Sequence, residues 1–256
     1  IETPNPVMMH DWNVTEHHVV FMDLPVRFGL ERAMAGDMPF GWDPDSGARL
    51  GVMPRHGTNA DVVWHEIDPC YVFHPLNAHE DGDRIELVVC RQDRAMAGGF
   101  DDIESARAHL WRWSIDQSTG TVTETQLDDR IADFPRVDDR LVGQAARYGY
   151  LTEIREEPGI GAAIGSEAYK YDLHTGGVET HTTNASTRLG EPVFAPAGPD
   201  ADEDEGWVLV FATDEAEGVT ELRIIDARDF AAEPVARVVL PQRLPYGAHG
   251  SWLPAG

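Results

Sequence analysis

Trp207-Val-Leu-Val-Phe-Ala-Thr-Asp-Glu-Ala-Glu-Gly-Val-Thr-Glu-Leu-Arg-Ile-Ile-Asp226 decides the fold. Two apolar runs rich in β-branched residues flank an acidic turn at Glu215 to Gly218, and side chains alternate along each run with the period of two that a strand imposes. The stretch therefore reads as a β-hairpin. The same reading extends to Val14–Met22, Arg84–Cys90, His109–Ile115, Thr121–Leu127, Ala146–Thr152, Trp207–Thr213 and Val219–Ile225, each bounded by Gly, Asp or Pro. Helical periodicity is scarce: only Leu24–Ala35, interrupted by Pro25 and Gly29, and Ile103–Ala108 have room for a turn or two.

A weak repeat organises these strands. Ile67-Asp68, Ile115-Asp116, Tyr171-Asp172 and Ile225-Asp226 each close an apolar run before a turn, at intervals of 48, 56 and 54 residues. A period of about fifty residues holding several short strands is the signature of a propeller blade. Ser118-Thr119-Gly120 and Thr175-Gly176-Gly177 fit outer hairpins of such blades. The fold class is therefore all-β, a β-propeller, with a two-sheet sandwich as the alternative. Ala195 to Gly206, rich in Pro and Asp, reads as a surface loop, and no linker divides the chain into domains.

Composition narrows the function. Forty-five acidic against 20 basic residues give a formal charge of −25, which excludes nucleic acid as a partner because phosphate binding needs clustered Lys and Arg. Lys170 is the single lysine. The acidity reads as a solvated, self-repelling surface. No apolar run is long enough to cross a bilayer. Cys70 and Cys90 do not make a disulfide framework; they read as two half-buried thiols on neighbouring strands, and the compartment is expected to be reducing and cytoplasmic.

Three of the 11 histidines stand inside distinctive phrases: Met8-Met9-His10-Asp11-Trp12, Phe73-His74-Pro75-Leu76-Asn77-Ala78 and Pro245-Tyr246-Gly247-Ala248-His249-Gly250. Gly190-Glu191-Pro192-Val193-Phe194, Asp133-Phe134-Pro135-Arg136, Arg147-Tyr148-Gly149-Tyr150 and Gly206-Trp207-Val208-Leu209 accompany them. Together, from about residue 7 to residue 254, these phrases resemble the carotenoid cleavage oxygenases, the family that includes stilbene-cleaving dioxygenases and the retinoid isomerase of the visual cycle.

The resemblance implies a seven-bladed propeller, of which about four to five blades, an incomplete ring, fall in residues 1–256 as the C-terminal portion of a single domain. It implies Fe(2+) held by four histidines, with His10, His74 and His249 as three of them and the fourth upstream of Ile1, in an N-terminal half that is this chain's partner. Glutamates orient the ligating rings in the family. Glu191 matches one such position, and Asp133 replaces glutamate at another, with a side chain shorter by one C–C bond.

The implied activity is oxidative cleavage of a C=C bond in a carotenoid, apocarotenoid or stilbene by O2, giving two carbonyl products. The alternatives are redox-neutral isomerisation on the same scaffold and a catalytically inert binding piece lacking the fourth ligand. The substrate is small, apolar and conjugated, and peripheral membrane contact is compatible with it. Trp12, Phe28, Phe73 and Tyr246 lie near the proposed ligands in sequence and line either an apolar tunnel or ordinary core.

Asn77 and Glu80 read as shapers of a strand end. His17, His18, His56, His65, His79, His109, His174 and His181 read as surface or core residues. No nucleophile elbow, phosphate loop, zinc-protease helix or Cys-x-x-Cys pair is present, and Ser251 stands too close in sequence to His249 to form a nucleophile–base pair.

Overall fold

The computed structural model describes residues 1–98, 107–156, 164–247 and 249–254. They form two compact units: Ile1–Ile131 with Gly143–Ala145 and Glu156, and Ala132–Val142 with Ala146–Arg155 and the described residues from Ile164 onward.

The first unit holds two four-stranded antiparallel sheets. In one, β1 (Asn13–Val14), β2 (His18–Asp23), β5 (Ala48–Pro54) and β6 (Val63–Ile67) lie side by side in that order. In the other, β7 (Tyr71–Asp81), β8 (Arg84–Gln92), β9 (Ala108–Asp116) and β10 (Val122–Gln126) form a meander. A small hairpin, β3 (Val26–Phe28) with β4 (Phe40–Trp42), carries the short helix α1 (Leu30–Ala35) at its tip. Val20, Met22, Leu50, Val52, Ile85, Leu87, Trp113 and Ile115 form one buried core. Removing each large aliphatic side chain from water contributes about 1.5–3 kcal/mol.

In the second unit, β11 (Ala132–Arg136), β12 (Tyr148–Ile154), β13 (Ile164–Asp172) and β14 (Gly177–Thr182) make a third antiparallel sheet. The fourth runs β15 (Thr187–Leu189), β17 (Gly206–Asp214), β18 (Val219–Asp226) and β19 (Ala236–Val239). A short strand, β16 (Val193–Pro196), shares the β15 edge of β17. The β17–β18 hairpin keeps the expected register, from Trp207 opposite Asp226 to Asp214 opposite Val219. Its turn ends at Gly218, whose φ of 67° needs a residue without a Cβ.

Among the described residues every sheet is antiparallel, so the all-β reading holds. The aspartate repeat also has a physical basis. Asp116 and Asp172 end the third strands of their sheets, and each Oδ1 accepts backbone N–H groups of the following turn, Ser118 and Thr119 in one case, His174 and Thr175 in the other. Asp226 accepts the Arg228 N–H in the same way. Ile67-Asp68 is out of phase, because it follows the fourth strand of its sheet.

Several boundaries differ from those read in the sequence. Val14–Met22 is not one strand: the chain reverses at Thr15 to His17, where Thr15 N–H donates to the His18 carbonyl at 2.8 Å. Leu24–Ala35 yields helix only after Gly29, since Pro25 and the β3 pairing claim its first half, and Gly36 at φ 81° ends it. Of Ile103–Ala108, residues 103–106 lie outside the described residues and Ala108 opens β9. Ala195-Pro196 pairs with Gly206-Trp207, so the loop is confined to residues 197–205. Both thiols are fully buried, Cys70 at 0% and Cys90 at 1% exposure: Cys70, just ahead of β7 rather than on a strand, belongs to the first unit's core, and Cys90 lies on the interior strand β8.

Candidate metal centre

The leading strand of each sheet carries or adjoins a residue singled out from the sequence: His10 precedes β1, His74 lies on β7, Asp133 on β11, and Glu191 in the break between β15 and β16.

In the first unit, the segment leading to His10 is built onto the β3–β4 hairpin. Val7 bridges to Arg27, Met8 N–H donates to the Val26 carbonyl at 2.9 Å, and the Met8 carbonyl accepts from the Tyr71 hydroxyl at 2.9 Å. That last bond ties the segment to β7. Pro75 cannot donate to the sheet, and β7 carries register shifts on either side of it. Phe73 and His74 fall inside the first of these shifts, between Val72 and Pro75. The His10 and His74 rings come to 5.1 Å between centroids at an interplanar angle of 84°, with Phe73 edge-on to His10 at 5.3 Å.

In the second unit, His249 belongs to a segment pinned at three points. Leu244 N–H donates to Thr220 Oγ1 at 3.1 Å, the Tyr246 hydroxyl donates to Glu215, and Arg136 donates to the Gly250 carbonyl at 2.5 Å. His249 Nδ1 lies 2.6 Å from Glu191 Oε2. The other oxygen, Oε1, accepts from Arg136, which also holds Asp139 at 2.9 Å. A carboxylate only accepts, so Nδ1 is the donor here, and in the neutral tautomer this contact selects, the lone pair lies on Nε2. That is the state a metal-ligating imidazole needs, with the orienting carboxylate found at such centres.

The donor chemistry of these residues fits a borderline divalent ion such as iron(II): imidazole nitrogens, one of them on a ring already backed by an acid. Asp133 is buried on β11 and its Oδ1 accepts its neighbour's N–H, from Phe134, at 2.8 Å. Phe134 itself adopts φ 55°, rare for a residue with a Cβ, and its ring stands 6.0 Å from that of His249.

A cleft of about 310 Å³ lies in the second unit under the His249 segment. Val193, Leu209, Phe211, Leu222, Leu244 and Tyr246 line it, and Glu191 and His249 also face it. Of the four aromatic residues read as tunnel or core, Tyr246 lines this cleft, Phe73 packs between Tyr71 and His10, Phe28 packs on Phe40, and Trp12 is exposed.

Sequence reasoning passed over Arg136 and Phe134, although both stand in the Asp-Phe-Pro-Arg phrase. It also separated Glu80 from His17 and His18, whose Nδ1 atoms lie 2.9 and 3.0 Å from its carboxylate. Of the other histidines, His65 and His181 are buried, and each has Nδ1 on a backbone carbonyl.

These features define an all-β scaffold that carries His10 and His74 beside or on leading strands of the first unit, and His249 with its carboxylate partner Glu191 in the second. The family model for retinal pigment epithelial membrane protein matches residues 1–254, and the chain belongs to this family, the carotenoid cleavage oxygenases. It is 33% identical to a carotenoid cleavage oxygenase of Mycobacterium tuberculosis over 99% of its own length and 60% of the relative's. A carotenoid 9,10(9',10')-cleavage dioxygenase of Crocus sativus is 36% identical over 97% of this chain and 49% of its own. The crystal structure of Pseudomonas brassicacearum lignostilbene dioxygenase superposes with a TM-score of 0.88 at 29% identity, covering 99% of this chain and 56% of the other. The chain thus spans about half to three fifths of these relatives' lengths.

Proposed function

We propose that the chain forms part of a nonheme iron(II) dioxygenase that cleaves a C=C bond of a carotenoid, apocarotenoid or stilbene. His10, His74 and His249 are its ligands here, and the family's fourth imidazole comes from outside the 256 residues. The observation that carries this reading is the oriented imidazole of His249 on Glu191, together with the adjacent rings of His10 and His74.

Iron(II), when bound, supplies the activation of O2 beside the alkene. The chain's own residues hold the donors ready for it. Glu191 keeps the proton of His249 on Nδ1, and Arg136 fixes Glu191 from its other oxygen. Asp133 serves as a second orienting acid. The substrate is a conjugated, apolar molecule bound through contact area, as the names of the Crocus and Pseudomonas relatives suggest by analogy. The overall reaction balances: one alkene and one O2 give two carbonyl compounds.

The four larger sheets are read as about four blades of the family's seven-bladed ring. One observation favours a second reading, in which the chain alone is an inert piece that needs the rest of such a ring. Phe211 and Val238 pair across from Leu222 on β18, and both are about half exposed, so the fourth sheet presents an apolar face to solvent.

Incubation with an apocarotenoid and a stilbene under labelled O2 separates these readings. Label in both carbonyl products is expected of a protein that supplies all four ligands. Turnover without O2 would assign the redox-neutral reaction instead, and stoichiometric, O2-reactive iron in residues 1–256 alone would dispose of the inert-piece reading.

A further inference from the structure

The carboxylate of Glu80 is the hub of a side-chain cluster in the first unit. It lies on β7, six residues beyond His74. Oε1 accepts from the Thr15 hydroxyl and from the His17 N–H at 2.8 Å, and lies 3.0 Å from His18 Nδ1. Oε2 lies 2.9 Å from His17 Nδ1. Thr15 to His17 is the reversal between β1 and β2, closed by the His18 N–H on Thr15 Oγ1 at 2.9 Å, and it begins five residues after His10.

The same strand grips the neighbourhood of His10 at two further places. Asn77 accepts the Gly143 N–H at 3.0 Å and donates to the Gln144 carbonyl at 2.8 Å. Gly143, at φ 83°, lies so close to Val14 that a Cβ would stand 3.3 Å from its carbonyl oxygen. On the other side of His10, the Tyr71 hydroxyl holds the Met8 carbonyl. His10 is therefore slung between two anchors, Met8 and Thr15, each tied to a residue of the strand that bears His74. Bonds to a carboxylate are about twice as strong as those between neutral groups. A supporting shell left loose by about 1 Å is enough to spoil a metal site.

We propose that Glu80, through Thr15, is a positioning residue that fixes the spacing of the His10 and His74 imidazoles. The inference rests on the metal-site reading above. It differs from simple turn stabilisation, which would leave the two rings in place whenever the chain is folded.

The test compares Glu80→Ala, Thr15→Val and Thr15→Ser in the 256-residue chain, with Leu50→Ala as a core-destabilised control. One readout is Co(II) titration followed by d–d absorption; the other is the nuclear Overhauser contact between His10 and His74 ring protons without metal. Glu80→Ala and Thr15→Val should weaken Co(II) binding by about 10- to 100-fold and lose the ring contact. Thr15→Ser, which keeps the hydroxyl, should restore both, and Leu50→Ala, folded but less stable, should keep both. Parent-like affinity and ring contact in Glu80→Ala would overturn the proposal, as would equal losses in Leu50→Ala. If the parent binds no Co(II), retention of the ion requires the fourth imidazole from outside the 256 residues, and the ring contact alone decides whether Glu80 positions the pair.

Discussion

Glu191 meets His249 at 2.6 Å across 58 residues of chain, with its second oxygen held by Arg136. Glu191→Gln should therefore weaken metal binding by about 10- to 100-fold, since the amide orients Nδ1 less firmly and leaves Arg136 with Asp139 as its one anionic partner. Far-ultraviolet circular dichroism should remain that of the parent. Metal titration giving equal affinities would detach Glu191 from the ligand set.

His74→Ala should abolish cleavage in a protein that contains all the ligands and lower its iron content. The ring stands where β7 leaves regular register, next to Pro75. Unchanged iron after purification, measured by atomic absorption, contradicts the assignment.

Stability should pass through a plateau set by Glu80 and His17. Burial works against the Glu80 carboxylate, but hydrogen bonds from Thr15, His17 and His18 outweigh it and bring its pKa to about 2 from 4.5. A lowered acid contributes stability above its unfolded value, lost as pH falls from 4.5 towards 2. His17 is shifted upwards from 6.5 by its bond to Glu80, so its contribution is complete below 6.5 and fades as pH rises above that value. Glu80→Gln should flatten the acid limb of a plot of melting temperature against pH; an unaltered limb would place the acid sensitivity elsewhere.

Cys70 should resist modification in the native state. Burial pushes its thiol up to about 12, so almost no thiolate exists at neutral pH. Ellman's reagent should titrate it only after denaturation, and rapid reaction of both thiols in the folded chain would show that the first unit opens readily.

Phe211→Ser should cost little stability, because the ring is 48% exposed, and should reduce binding of a hydrophobic dye to the fourth sheet. Unchanged dye fluorescence would locate the exposed apolar surface on another face.

The strand-rich fold was legible because period-two alternation and turn chemistry are local. Trp207 to Asp226 needed only its own residues to be read as a hairpin, and Asp116 and Asp172 cap their turns by bonds to residues two and three places on. The reversal inside Val14–Met22 was not legible, since it depends on a carboxylate more than sixty residues away, at Glu80. Arg136 escaped notice for the same reason: its partners, Glu191 and Gly250, are distant in the chain.

The order of residues by itself therefore determined the all-β class, the family and the identities of His10, His74, His249 and Glu191 as candidates. Tertiary structure alone decided which of them meet, the His10 ring beside His74 and the His249 ring on Glu191, and which neighbours hold them there. The physical reason is range. Backbone alternation and turn capping act over a few residues and leave a pattern in the sequence, whereas hydrogen bonds between side chains act over about 3 Å of space and leave no trace in chain order.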